Sequence, residues 1–166
     1  MTELGVKEIP VQLTGGLYRV PVCSKRVWER LRRCETEKDY VEICGTLLKG
    51  VPFSEDVPDC EKRLLAMVYE ESIERLCETA GLTIPYYPAE PEDDDIKYYI
   101  YTQFDKLAAD YANMSIYEID DIPITDYRLL VRDAFISKLA QTEKGRKYLK
   151  NAYRLTQTEA DEDISI

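Results

Sequence analysis

Length, composition and charge suit a globular protein and exclude several other classes. The 166 residues are enough for one domain, and 45% apolar with 33% charged residues is too apolar for a globally disordered chain. The net charge of −10 argues against a nucleic-acid partner, because proteins that bind nucleic acids concentrate basic residues on one face. Nine acidic residues lie within 90–95 and 159–163, so the remainder of the chain is nearly neutral.

The first residues and the cysteines favour a cytoplasmic protein. The segment 1–8 lacks the basic start and the apolar stretch of a signal peptide, and no segment approaches the roughly 20 apolar residues that span a bilayer. The five cysteines are odd in number and form no Cys-x-x-Cys pair, which argues against a disulfide framework and against a zinc site. We therefore expect no membrane association.

The first 82 residues predict a β-hairpin and three helices. Apolar residues alternate with polar ones on both sides of Gly15 and Gly16, which can adopt the positive φ angles of a tight turn, so 9–22 is expected to form the hairpin. Capping residues and apolar periodicity define the helices. Ser24 is expected to cap a helix to Cys34, a second helix is expected from Thr36 to Lys49, and Asp59 is expected to cap a third to Ala80.

A proline-rich segment separates this part from the rest of the chain. Proline recurs at every third position from Pro85 to Pro91, beside an acidic run, and proline disfavours the interiors of helices and sheets. Residues 83–95 are therefore expected to form an extended, solvated linker between the part at 1–82 and a helical part at 96–155.

The helical part opens with the most regular apolar pattern in the chain. Steps of four and three residues place on one helical face Ile96, Ile100, Phe104, Leu107 and Tyr111. After this helix, Ser115 and Glu118 have the spacing of a capping box and predict a single helical turn.

Two longer helices and a tail complete the expected fold. Thr125 or Asp126 is expected to cap a helix that ends near Ala140. The side chains expected to face the core from it are Tyr127, Leu130, Val131, Ala134, Phe135 and Leu139. Thr142 then caps a last helix to Leu155, and 156–166 is expected to be a disordered acidic tail. The predicted fold class is mainly α (α+β), a helical bundle with a short N-terminal β-hairpin.

The residues required for most enzyme mechanisms are missing. The chain has no histidine, which removes the commonest general base and excludes Ser-His-Asp and Cys-His catalysis. The neighbours Ser24-Lys25 and Ser137-Lys138 point in different directions on their helices, so neither forms a serine–lysine pair. The run Asp93 to Asp95 lacks the alternate ligand spacing of a calcium loop. We therefore expect no enzymatic activity, no catalytic residue, no metal site and no cofactor.

Aromatic residues are the candidates for contact with a partner protein. The chain has 13 tyrosines, and several of them stand in or beside the proline-rich segment, off the predicted apolar face. Tyrosine and tryptophan are enriched in protein interfaces because they combine apolar area with a polar tip. The candidate partner-binding residues are Trp28, Tyr86, Tyr87, Tyr98 and Tyr101. The alternative is that these tyrosines pack the linker onto the body of the protein.

One segment resembles a known group of proteins. The matching text comprises Asp94-Asp95-Ile96, residues 99–104, Tyr111, residues 116–119, Ile122-Pro123 and residues 127–130. It is similar to tail-assembly chaperone-type proteins of tailed bacteriophages and prophages of Gram-positive bacteria. In those proteins an acidic start precedes an aromatic-rich helix, a short turn ending in proline, and a helix with paired leucines. An opening hairpin followed by a helix is also similar to the start of many such proteins.

The resemblance implies a non-enzymatic helper in the bacterial cytoplasm that binds the tape-measure protein during tail assembly. Other readings from the phage context remain open. One is a phage-encoded inhibitor of a host defence enzyme or nuclease, with acidic segments acting as a decoy for phosphate. Another is a structural or connector component of the particle. An enzyme with an unusual carboxylate site is a further alternative.

Overall fold

The computed structural model describes residues 5–82 and 102–162, with side chains described up to residue 154. The chain opens with the antiparallel strands β1 (Glu8–Leu13) and β2 (Gly16–Pro21), which confirm the predicted hairpin. Inward and outward side chains alternate along both strands, so the pairs Ile9–Val20 and Val11–Tyr18 lie on the buried face. This face supplies one side of the core.

Three α-helices and a short 3-10 turn follow the hairpin. They are α1 (Lys25–Leu31), α2 (Glu37–Leu47), the turn Ser54–Asp56 and α3 (Asp59–Thr79). Ser24 caps α1 through its side chain, as predicted, and Thr36, expected as the first residue of α2, is its N-cap instead. The third cap is Pro58 instead of Asp59, which becomes the first helical residue and places a carboxylate at the positive end of α3.

Four helices form the second part of the described chain. They are α4 (Gln103–Ala112), α5 (Ile116–Ile119), α6 (Ile124–Ala140) and α7 (Glu143–Glu162). The predicted capping box of α5 is present, with Ser115 and Glu118 bonded to each other's backbone N–H groups. The positions Ile96 and Ile100 of the predicted apolar face lie outside the described residues.

The cap predicted for α6 is wrong. Its N-cap is Pro123, and neither Thr125 nor Asp126 serves. The reason is a long-range contact, because the N–H of Ile124 donates to the carbonyl oxygen of Cys23 at 2.9 Å. An N–H of the first turn, which has no partner within its own helix, is thus satisfied by another part of the chain, and a local side-chain cap is not required there.

The last helix is longer than predicted. The prediction ended it at Leu155 and assigned 156–166 to a disordered tail, whereas α7 continues to Glu162. The added residues include glutamate, glutamine and alanine, which have high helix propensity, and this local preference acts against the disorder that their polarity suggests. At the other end, the hydroxyl of Thr142 accepts from the N–H of Gly145 at 3.0 Å, as expected of a cap.

A single core joins the two parts of the described chain. It runs from the hairpin through α3 to α6, with fully buried side chains that include Val11, Leu65, Tyr69, Ile73 and Val131. Two backbone bonds also tie the start of α1 to the loop before α6, from Lys25 to Ile122 and from Arg26 to Asp120. The molecule is therefore mainly helical with a two-stranded antiparallel hairpin, which confirms the predicted fold class. Across the described ranges, no helix has the length and hydropathy needed to cross a membrane.

Candidate partner-binding site

Of the five aromatic residues predicted to contact a partner, Trp28 is the one that lies within the described residues. Trp28 is only 3% exposed, and the guanidinium carbon of Arg128 lies 5.5 Å from its ring centroid. Its burial follows from helical spacing, because Lys25, Trp28 and Leu31 share the face of α1 that turns inward. Trp28 is therefore a core residue. The other four candidates, Tyr86, Tyr87, Tyr98 and Tyr101, lie outside the described residues.

A buried ammonium group fixes the helices of the second part to α1. Lys25 is 4% exposed, and its Nζ lies 2.8 Å from Glu29, 2.9 Å from Asp120 and 3.2 Å from Asp105. The hydroxyl of Tyr127 donates to the same Asp105 carboxylate at 2.7 Å. These contacts connect α1, α4, the end of α5 and α6, so they set the positions of α4 and α6.

The electrostatics of this cluster argue against a catalytic amine. Burial by itself lowers the pKa of Lys25. The hydrogen bonds that its ammonium donates to Glu29 and Asp120, with the charge of Asp105, outweigh burial and raise the pKa above its usual range. Burial and the bond to Asp105 likewise raise the pKa of Tyr127. An ammonium that stays protonated cannot act as a nucleophile or base near neutral pH. The cluster is a structural tether.

A second charged contact joins α6 to α3. The guanidinium of Arg128 donates two hydrogen bonds to the carboxylate of Glu74, at 2.6 and 2.7 Å. These bonds from Arg128 lower the pKa of Glu74 against the opposing effect of burial, so the pair is ionised at neutral pH. No local sequence pattern predicts this pairing, because the two residues stand 54 positions apart.

Three of the thiols, Cys23, Cys44 and Cys77, lack the features of reactive cysteines. Burial raises the pKa of Cys44 to about 11 and also raises the pKa values of Cys23 and Cys77. Thiols of this kind remain protonated and unreactive near neutral pH. Within the described ranges, no group of His, Cys, Asp or Glu residues is placed to hold a metal ion.

An apolar concavity lies between α4 and α6. It has a volume of about 390 Å³, within the size range of binding pockets in general. Four large apolar side chains, all half-buried, form most of its wall, and three polar residues complete the rim. The lining residues are Phe104, Leu107, Phe135 and Leu139, with Gln103, Lys138 and Thr142. We call this the α4–α6 pocket.

A close approach of two helices forms the end of the α4–α6 pocket. The backbone of Gly145 lies so near α6 that a Cβ on it would stand 2.0 Å from the carbonyl oxygen of Leu139. Arg146 donates from Nη1 to the carbonyl oxygen of Ala140 at 2.9 Å, which satisfies an acceptor at the end of α6. This corner fixes Thr142 and Leu139 at the pocket edge.

The sequence analysis found the apolar members of the pocket but assigned them a different role. Phe104 and Leu107 were expected on one apolar helical face, and Phe135 and Leu139 were expected to face the core. The structure leaves all four half-buried around an open space. Lys138 and Thr142 were not connected with a site at all. In comparisons with protein-family models, curated proteins and solved structures, none matched this chain. The geometry of the α4–α6 pocket is therefore the structural basis for proposing a function.

Proposed function

We propose that this protein is a non-enzymatic binding protein whose α4–α6 pocket receives the apolar face of a helix from another protein. The observation that carries the proposal is the pocket itself, where four large apolar side chains surround about 390 Å³ of space. Amphipathic helices dock into such grooves by inserting apolar side chains spaced three and four residues apart. The raised pKa values of the buried lysine and thiols support a binding role over a catalytic one.

The proposed partner is a phage tape-measure protein, with this chain acting as a tail-assembly chaperone. Support for this specific form comes from the resemblance of residues 94–130, which include Phe104 and Leu107 of the pocket wall. A tape measure is a long amphipathic helical chain whose apolar stripe aggregates when it is left bare. A chaperone with an apolar pocket covers part of that stripe until assembly begins.

Co-expression with the tape-measure protein of the same genome tests this function. The wild-type chain should keep the partner soluble and should co-purify with it. Leu107→Asp places a charge in the pocket wall and should weaken binding at least about 10-fold, as expected for an interface anchor. The matched control is Leu64→Asp, because Leu64 is a half-exposed leucine on α3, away from the pocket, and should bind like wild type.

Circular dichroism must show that both variants keep the helical content of the wild type. A wild-type chain that neither solubilises nor co-purifies with the tape measure would refute the chaperone function. Equal loss of binding in Leu107→Asp and Leu64→Asp would refute the assignment to the pocket.

A further inference from the structure

The basic residues beside the α4–α6 pocket have no carboxylate partners among the described side chains. The ion pairs that join described residues all use cations at or before Arg132. Five exposed cations that follow it form no such pair within the described ranges, namely Lys138, Lys144, Arg146, Lys147 and Lys150. Within the described residues, the segment 138–150 thus carries five basic side chains against the single carboxylate of Glu143, and we call it the α7 basic surface.

The α7 basic surface is continuous with the pocket. Lys138 lines the pocket directly, and Thr142 lines it at the point where α7 begins. The hydroxyl of Thr142 is bonded to Gly145, and the close packing of Gly145 against Leu139 holds the first turn of α7 at this edge. The first turn of α7, which carries Lys144, therefore begins at the pocket edge, and Lys147 follows one turn later.

The composition of the surface determines the kind of partner that fits. A ligand that fills the pocket must be apolar on one side, and charge complementarity requires anionic groups where it passes the lysines. Resting on the proposed function, we infer that the partner segment is an amphipathic helix whose polar flank beside the pocket is acidic. The lysines would accelerate encounter and fix the direction of the bound helix.

Other anionic partners fit this combination less well. A membrane surface would favour apolar side chains arrayed as a continuous band on the exterior of one helix, whereas these apolar side chains converge on a pocket between two helices. Nucleic acid would be repelled by the net charge of −10. An acidic helix satisfies the pocket and the lysines together.

Three synthetic helices separate the apolar contribution from the charge contribution. They share one apolar face and one length, and their polar flanks carry Glu, Gln or Lys. Binding of fluorescently labelled peptide to the full chain is measured by anisotropy. We expect the Glu peptide to bind at least about 10-fold more tightly than the Gln peptide and the Lys peptide to bind weakest. The Glu advantage should shrink several-fold between about 50 mM and about 500 mM salt because the charges are exposed.

Charge reversal locates the effect. Lys138→Glu with Lys147→Glu should remove the preference for the Glu peptide and leave the affinity for the Gln peptide within about two-fold. The control, Lys7→Glu with Lys49→Glu, makes the same change in net charge at two other exposed lysines and should retain the preference.

The outcomes distinguish this inference from the proposed function. The Glu and Gln peptides could bind with equal affinity, and Leu107→Asp could abolish the binding of both. This result would overturn the inferred preference for an acidic flank and would leave the proposed binding in the pocket intact. Failure of all three peptides and of the tape measure to bind would overturn the pocket function itself. A third outcome is that no peptide binds, but the protein sediments with phosphatidylserine vesicles and charge reversal at Lys138 and Lys147 abolishes this sedimentation. That outcome would overturn the inference in favour of a membrane surface.

Discussion

At the scale of single residues, the buried ammonium of Lys25 decides how α1, α4 and α6 meet. Its three carboxylate partners retain different access to water, with side-chain exposures of 18% for Asp105, 33% for Asp120 and 44% for Glu29. A buried ion pair contributes little net stability when it is intact, but removing one partner leaves the others close together and uncompensated. The lysine is therefore more costly to delete than its salt bridges alone suggest.

Lys25→Met should lower the free energy of unfolding by about 2 kcal/mol. This loss is smaller than that expected when one partner of a fully buried ion pair is removed, because Glu29 and Asp120 are partly exposed to water. The folded state raises the lysine pKa, so its contribution is present below the ordinary pKa of about 10.4 and is lost only as pH rises through the higher folded value. Urea denaturation between about pH 6 and about pH 9 should show a constant deficit.

The control for this prediction is Lys38→Met. The Lys38 side chain is 85% exposed and its contact with Glu42 is 3.9 Å long, so its loss should cost less than about 0.5 kcal/mol. A Lys25→Met protein as stable as Lys38→Met would contradict the tethering role.

The same residues show what the sequence could and could not predict at this scale. The caps Ser24 and Ser115 were predicted because each satisfies an N–H group three residues away. Burial of Lys25 could not be predicted, since its carboxylates Asp105 and Asp120 stand 80 and 95 positions along the chain. A lysine at a helix start gives no local sign that three acids will surround it.

At the scale of helices, periodicity identified the apolar faces but not what covers them. α4 and α6 both present large apolar side chains at helical spacing, and the core accepts only some of them. Leu107, Phe135 and Leu139 remain outside the core because the neighbouring helices leave a gap there. The pattern of a core-facing residue and that of a pocket-lining residue are the same, so only the packed structure separates the two.

Gly145→Ala tests the helix contact that shapes this gap. The added methyl group would collide with backbone atoms of Leu139, which cannot move aside as a side chain can, so α7 must shift away from α6. The expected loss is about 2 kcal/mol in urea denaturation, with faster hydrogen exchange in 143–154. The matched control is Gly45→Ala, in an exposed turn of α2 with no atom within 4 Å.

Gly45→Ala should raise stability by about 0.5 to 1 kcal/mol because alanine has the higher helix propensity. If the two substitutions changed stability in the same direction and by the same amount, close packing at Gly145 would not be required.

At the scale of the whole molecule, α6 binds the two parts of the chain into one unit. Adjacent residues on it contact different elements, since Tyr127 bonds to Asp105 on α4 and Arg128 bonds to Glu74 on α3. The core is likewise continuous from the hairpin to Val131. A proline-rich break in the sequence suggested two parts, but local composition carries no information about burial shared across the break. The expectation from the structure is one cooperative unit.

Unfolding should therefore follow a single transition. Trp28, the only tryptophan, is buried against Arg128 and reports on the junction of α1 with α6 through its fluorescence. Native-state hydrogen exchange in 59–79 and in 124–140 reports on the two sides of the core independently. The largest opening free energy measured in α3 should equal that measured in α6, because neither helix can leave the shared core alone. Both should equal the free energy of unfolding measured by Trp28 fluorescence. If α3 kept its protection under conditions where α6 exchanged freely, the chain would consist of two separable units, and the pocket on α6 would no longer depend on the hairpin half.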